Sequence, residues 1–339
     1  MQLKYLHLSL LISLILAGCN DSRVQDPFER ALSLGLPSRS TATILTPKAN
    51  IRFDQKQTIT QKMLIKGASM YLSGRPFGYS HWDVGSNPLV PRLQFAYSDN
   101  IRSFTPLADW LPDYYASGAM ASMGRYVLSS GAAGSSLIDN GTPGQSVEIR
   151  RYPNRQASDL QVPQDPDYVY QAIINHPTEP YFFGFREQDF VTSLKIDNTG
   201  LSLTKKTNYA SNGQKGTCCV MGGATFKGAA YIGFRSSVRR YNFGPNGTIE
   251  EGGVFNNVNG TNIVATNDYL YVQHQAVPGN TASSGIYVIN GDGNPMAFLP
   301  ILPIAFAVTS DNQYLYANMD NDSIIVYQLN WGASGGGGF

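Results

Sequence analysis

The sequence predicts an all-β chain closed into a ring of four-stranded antiparallel blades, a β-propeller of six blades with seven as the main alternative. Three observations carry this. Charged residues make up 14% of the 339 residues, while Tyr (20), Phe (16) and Gly (34) are abundant. That mixture suits strands joined by tight turns and disfavours long solvated helices. Six segments then repeat one pattern, an aromatic-rich strand, a polar turn and an alternating apolar strand, at a spacing of about 40–55 residues, the range of a propeller blade. Finally, no helix-length amphipathic stretch separates them, which argues against a solenoid. A pair of β-sandwiches is the competing all-β architecture.

Taken in order, the six strand pairs are 68–72 with 79–84, 124–128 with 135–139, 180–183 with 191–197, 229–232 with 238–243, 269–272 with 285–290, and 314–317 with 323–329. Strands expected to precede them and line a central channel are 168–174, 217–221, 262–266 and 304–309. The last repeat ends at Trp331 with three strands in sequence, so the β-prone stretch 41–53 is expected to supply the fourth and close the ring. Upstream, Asp26-Pro27-Phe28-Glu29 has a capping residue, proline at the first helical position and an acid in the first turn, which predicts a short helix. Residues 332–338 form a glycine-rich tail ending at Phe339.

The amino terminus carries a second kind of information. Met1 and Lys4 precede an apolar run over 6–16, too short to span a bilayer comfortably, which ends in Leu16-Ala17-Gly18-Cys19. This resembles the lipobox of bacterial lipoproteins. The resemblance implies a signal peptide over 1–18, lipidation of Cys19 and a lipid-anchored tether and lead-in over 19–55, ahead of the propeller that the repeats predict over 56–331. It implies attachment to the bacterial cell envelope, at the outer membrane in preference to the inner. An ordinary secretory signal that leaves Cys19 as a free thiol is the competing reading.

Within the repeats, Asp311-Asn312-Gln313-Tyr314-Leu315-Tyr316-Ala317-Asn318 with 322–327, and Asn175-His176-Pro177 with 191–203, resemble the blades of YncE-like and lactonase-like propellers. His81-Trp82-Asp83-Val84 with 87–91 is similar to an LVIVD-type repeat. The likeness lies in blade architecture and brings no catalytic motif.

Composition narrows the partners. With 25 basic and 24 acidic residues the chain lacks the electrostatic footprint of a nucleic-acid binder. The N-terminal lipid is the expected membrane attachment, an envelope protein or glycan the expected partner, and a monomer the expected state; no cofactor or metal is expected. Asn290-Gly291-Asp292-Gly293-Asn294 and Asp320-Asn321-Asp322-Ser323 look superficially like calcium loops but lack EF-hand spacing, and read as hairpin turns.

Candidate site residues are few. His176 follows a channel strand, and with Arg186 and Glu187 it forms the constellation a channel-sited, lactonase-like hydrolase would need; the competing reading makes His176-Pro177 a plain turn. His81 and His274 belong to different repeats and would meet only if the ring brought them to one face. Arg235, Arg239 and Arg240 suit either an anionic ligand or an outer strand. Cys218-Cys219 allows a vicinal disulfide or two thiols. Trp110, Tyr114, Tyr115 and Arg186 are candidate contact residues for a binding or scaffold module for a protein, glycan or small ligand, the favoured function, with the hydrolase as the alternative. An outer-membrane assembly factor acting by strand addition at a blade edge is a third class.

Overall fold

Strand-forming residues alternate with turns through nearly the whole chain, and in the computed structural model every described strand pairs antiparallel with its neighbours. The structure describes residues 28, 30–31, 44–52, 60–74, 78–97, 119–131, 134–139, 148–153, 170–185, 190–197, 200–208, 220–255, 258–276, 283–319 and 323–331. They form six four-stranded sheets.

Blade 1 holds β2 (Thr60–Lys66), β3 (Ser69–Gly74), β4 (Gly78–Asp83) and β5 (Arg92–Tyr97). Blade 2 holds β6 (Ala119–Met123), β7 (Tyr126–Gly131), β8 (Gly134–Asp139) and β9 (Glu148–Pro153). In blade 3 the strands are β10 (Ala172–Asn175), β11 (Tyr181–Phe185), β12 (Phe190–Asp197) and β13 (Gly200–Asn208). Blade 4 comprises β14 (Val220–Phe226), β15 (Ala229–Phe234), β16 (Val238–Gly244) and β17 (Thr248–Phe255), and blade 5 comprises β18 (Asn262–Ala265), β19 (Tyr269–His274), β20 (Gly285–Asn290) and β21 (Pro295–Leu299).

Blade 6 is built from both ends of the chain. β22 (Ala305–Val308), β23 (Tyr314–Asn318) and β24 (Ser323–Leu329) come from the C-terminal side, and β1 (Leu45–Arg52) adds the outer strand in the register Leu45↔Leu329 to Arg52↔Ser323. The six strand pairs and the closing strand read from the sequence are all present. The inner strands differ at their bounds: Ala172–Asn175 starts four residues later than expected and Val220–Phe226 three, and β2 and β6 were not legible as inner strands.

Adjacent inner strands pack in the ring order β2, β6, β10, β14, β18, β22 and back to β2, so blades 1 and 4 face each other across the channel. Each blade-to-blade seam has its own apolar cluster. Between blades 3 and 4, Phe183 and Phe185 meet Ile232, Phe234 and Tyr241; between blades 5 and 6, Tyr271 and Val288 meet Phe306 and Leu315. Burying each such side chain contributes about 1.5–3 kcal/mol, so the seams dominate the stability of the ring. Among the described residues the seam between blades 1 and 2 is the smallest, with Tyr71, Val127 and Ile138 at its centre.

Phe28, Arg30 and Ala31 are helical, as the capping pattern predicts. Phe28 and Ala31 are fully buried in the cluster between blades 4 and 5, with the Phe28 ring 4.8 Å from that of Phe255 and 5.9 Å from that of Tyr231. This part of the stretch read as a tether is therefore part of the core. Cys19 and residues 1–18, read as a signal peptide, lie outside the described residues, as do residues 332–339.

Candidate functional site

Antiparallel order sorts the connections onto two faces. The turns from inner to second strand and from third to outer strand lie on one face. The hairpins between second and third strands, and the crossings from each outer strand to the next inner strand, lie on the other. The described strand ends joined by the stretches 98–118, 154–169, 209–219 and 186–189 all lie at this second face. Trp110, Tyr114, Tyr115, Arg186, Glu187, Cys218 and Cys219 fall on those connections and lie outside the described residues.

The inner strands enclose an axial cavity of about 190 Å³. Its wall is mainly backbone and small or apolar side chains, including Ala119, Ile173, Gly222, Gly223 and Ala307, with Lys62, Ser122, Gln171, Asn175, Thr225 and Asn262 as polar members. Because each inner strand is the edge of its sheet, the N–H and C=O groups on its free side face the channel. The Thr225 hydroxyl donates to the Asn175 carbonyl at 2.6 Å, tying blades 4 and 3 together.

At the other end lies the contact that sequence reasoning missed. Lys62 Nζ donates to the carbonyl oxygen of Met221 at 2.6 Å, from blade 1 to the blade opposite. Both strands are irregular where they meet: the register of β2 shifts between Thr60 and Lys62, and that of β14 between Val220 and Gly222. Met221 is thus the bulged residue of its strand, which leaves its carbonyl outside the β14–β15 ladder. Desolvation in the channel lowers the Lys62 amine to about 8, from an ordinary 10.5.

His176 is a turn residue. It is buried, and its Nδ1 accepts the backbone N–H groups of Thr178 at 3.2 Å and Glu179 at 2.8 Å. Its ring packs 4.9 Å from that of Phe243. Accepting at Nδ1 places the proton of the neutral ring on Nε2, so the basic lone pair is committed to the turn and not offered to a substrate. Burial lowers its pKa, against smaller opposing effects of Glu179 and the Gly244 backbone.

His81 and His274 are not brought together. His81 stacks on Tyr71 at 4.8 Å and shares a hydrogen bond of 2.9 Å between its Nε2 and Ser69 Oγ. His274 is buried in blade 5, where its Nδ1 accepts the Asn259 N–H at 3.2 Å. Arg239 is buried, 3.3 Å from a Glu251 oxygen and 4.7 Å from the Phe234 ring centre, so its charge is neutralised within blade 4. Asn290 Oδ1 accepts the N–H groups of Asp292 at 3.0 Å and Asn294 at 2.8 Å, the turn chemistry expected there. Among the described residues no three His, Cys, Asp or Glu side chains form a metal-binding group.

With the ring and its channel in view, solved structures supply the comparison. The chain is similar to the WD40 repeats of RRP9, at 8% identity over 84% of this chain and 99% of that one, with a TM-score of 0.51. It is likewise similar to the Pan2 WD40 domain of Neurospora crassa, at 9% identity over 86% of this chain and 98% of that one, with a TM-score of 0.52. The likeness is one of fold. No protein-family profile matches the chain, and no curated protein matches it.

Proposed function

We propose that this protein is a lipid-anchored propeller of the bacterial envelope, acting as a binding or scaffold module for a protein or glycan partner. The carrying observation is the sorting of connections: those bearing Trp110, Tyr114, Tyr115 and Arg186 all join strands at the same face of a ring. Loops that join strands at one face of a rigid scaffold are frequent recognition surfaces, and aromatic and arginine side chains supply much of the energy there. The fold shared with WD40 propellers is compatible with this use. The resemblance of 311–327 to YncE-like and lactonase-like blades, and of 81–91 to LVIVD-type repeats, supports an envelope propeller. The lipobox over 16–19 supports the anchor and an outer-membrane address. The hydrolase alternative is less favoured, because His176 Nδ1 accepts the backbone N–H groups of Thr178 and Glu179.

The test is mild cross-linking in the native envelope, followed by affinity purification of the full chain and of two variants. A recurrent partner captured by the native chain and lost on combined Trp110→Ala, Tyr114→Ala and Tyr115→Ala substitution is the expected result. Cys19→Ala should abolish labelling by a fatty-acid analogue. Absence of any recurrent partner would overturn the scaffold reading, and labelling that persists without Cys19 would overturn the anchor.

A further inference from the structure

The channel combines features that the scaffold reading does not use. Lys62 is the only ionisable side chain among the described residues of the cavity wall, and no carboxylate accompanies it. Its hydrogen-bond partner, the Met221 carbonyl, carries no formal charge and takes one of the three ammonium N–H donors. A lysine bonded to a neutral acceptor, with no carboxylate among the described residues of the wall, keeps its positive charge uncompensated, and the field at that end of the channel is positive.

We infer that the channel is a binding site for a small monoanionic carboxylate, held by Lys62 at the mouth with its apolar part directed along the channel. Three properties select this class. The cavity, at about 190 Å³, is smaller than the roughly 300–1,000 Å³ pockets that take drug-sized ligands, so a compact molecule fits. One cation matches one negative charge, whereas a phosphate dianion calls for several converging cationic or N–H donors. Leu64, Met120 and Val264, partly exposed, add apolar area to the wall for a short hydrocarbon group. Free backbone N–H groups on the inner strand edges offer further donors to a carboxylate oxygen.

A Cβ at Gly223 would lie 2.6 Å from Ile232 Cδ1 and 3.2 Å from Ile174 Cγ2, so glycine there lets blades 3 and 4 pack closely beside the channel. With the Met221 bulge beside it, β14 presents main chain to the channel just where Lys62 arrives from the opposite blade. A carboxylate entering there replaces the Met221 carbonyl as the acceptor for Nζ and exchanges a neutral contact for a charge-assisted one.

The Lys62 end of the channel opens at the same face as those connections, but the site uses inner-strand residues alone and survives the failure of the scaffold reading. The experiment titrates the full-length, detergent-solubilised protein with butyrate at pH 7 by calorimetry and thermal unfolding, with butyramide and equimolar chloride as controls. Butyrate is expected to bind saturably and raise Tm, and neither control should do so. Lys62→Gln keeps a donor for the Met221 carbonyl but removes the charge, and should weaken butyrate binding at least about tenfold. Lys62→Arg keeps the charge and should retain binding, which guards against a variant that simply misfolds. Stabilisation by butyramide or chloride equal to that by butyrate, no saturable butyrate binding, or unchanged affinity in folded Lys62→Gln would overturn the assignment.

Discussion

The phenol of Tyr271 donates to Oδ1 of Asn312 at 3.0 Å, joining blade 5 to the closing blade. The same oxygen accepts the Thr266 hydroxyl at 2.8 Å, Asn312 Nδ2 donates to Asp268 Oδ2 at 3.2 Å, and Trp331 Nε1 donates to the Asn312 carbonyl at 2.7 Å. Asn312 holds these bonds from a left-handed backbone, φ +58°, which asparagine tolerates better than most residues. Asn312→Ala should cost about 1–3 kcal/mol in urea unfolding, because it leaves the buried Tyr271 hydroxyl without its acceptor. Tyr271→Phe removes the donor as well and should cost less, about 1 kcal/mol.

Tyr271 and Tyr316 predict an alkaline limit. Burial raises both phenols above their ordinary 10.0, with smaller contributions from neighbouring acidic groups. A raised folded-state value means that the unfolded chain ionises first. Stability is therefore intact below pH 10 and lost as pH rises past it towards the folded-state values. Tyr316→Phe, which forfeits the 2.6 Å bond to the Pro88 carbonyl, should lower stability at pH 8 yet flatten its decline above pH 10.

His81 predicts the acid side. Desolvation, only partly opposed by Asp83, lowers its pKa below the ordinary 6.5, so the folded state binds fewer protons than the unfolded chain. Its contribution is complete above pH 6.5 and is lost as pH falls through the lowered value. His81→Phe retains the stacking on Tyr71 and should make unfolding midpoints less sensitive to pH between 7 and 5.

Two glycines separate backbone strain from crowding. Gly67 and Gly247 have φ of +56° and +68°, but a Cβ at Gly67 meets nothing within 4 Å while one at Gly247 falls 2.5 Å from the Tyr181 ring. Gly67→Ala should cost about 1 kcal/mol, the left-handed penalty alone. Gly247→Ala should cost at least about 2 kcal/mol more, since the Tyr181 ring must move. Paired urea titrations read the difference directly.

Phe28→Ala should destabilise the whole ring by about 3–5 kcal/mol, the usual cost of emptying a buried aromatic site. Unchanged thermal stability in this variant would place Phe28 outside the seam between blades 4 and 5.

Much of the ring was legible because second and third strands carry dense, alternating apolar patterns, as in Tyr314–Asn318 beside Ser323–Leu329. The closing strand was legible because the last repeat lacked a partner for Ile324 and Val326. Inner strand β2 was not, since Gln61, Lys62 and Lys66 give it the composition of a solvated edge. Local pattern has no means of showing that Lys62 meets Met221, 159 residues away, because two bulges and the diameter of the ring bring them together. His176 was ambiguous for the opposite reason: its histidine-proline corner suits a turn and a catalytic site equally, and only the direction of its hydrogen bonds decides.

The seam that completes blade 6 also sets the order of events in folding. Asn330 Nδ2 donates to Thr46 Oγ1 at 2.7 Å across 284 residues of chain, so the closing ladder forms only after all the residues between them have been synthesised. Pairings this distant in sequence are slow to nucleate, because loop closure costs entropy before the contact repays it. A nascent chain therefore stays an open arc with β1 unpaired until its last strand emerges, and a chain stopped before Ser323 exposes two sheet edges that invite aggregation.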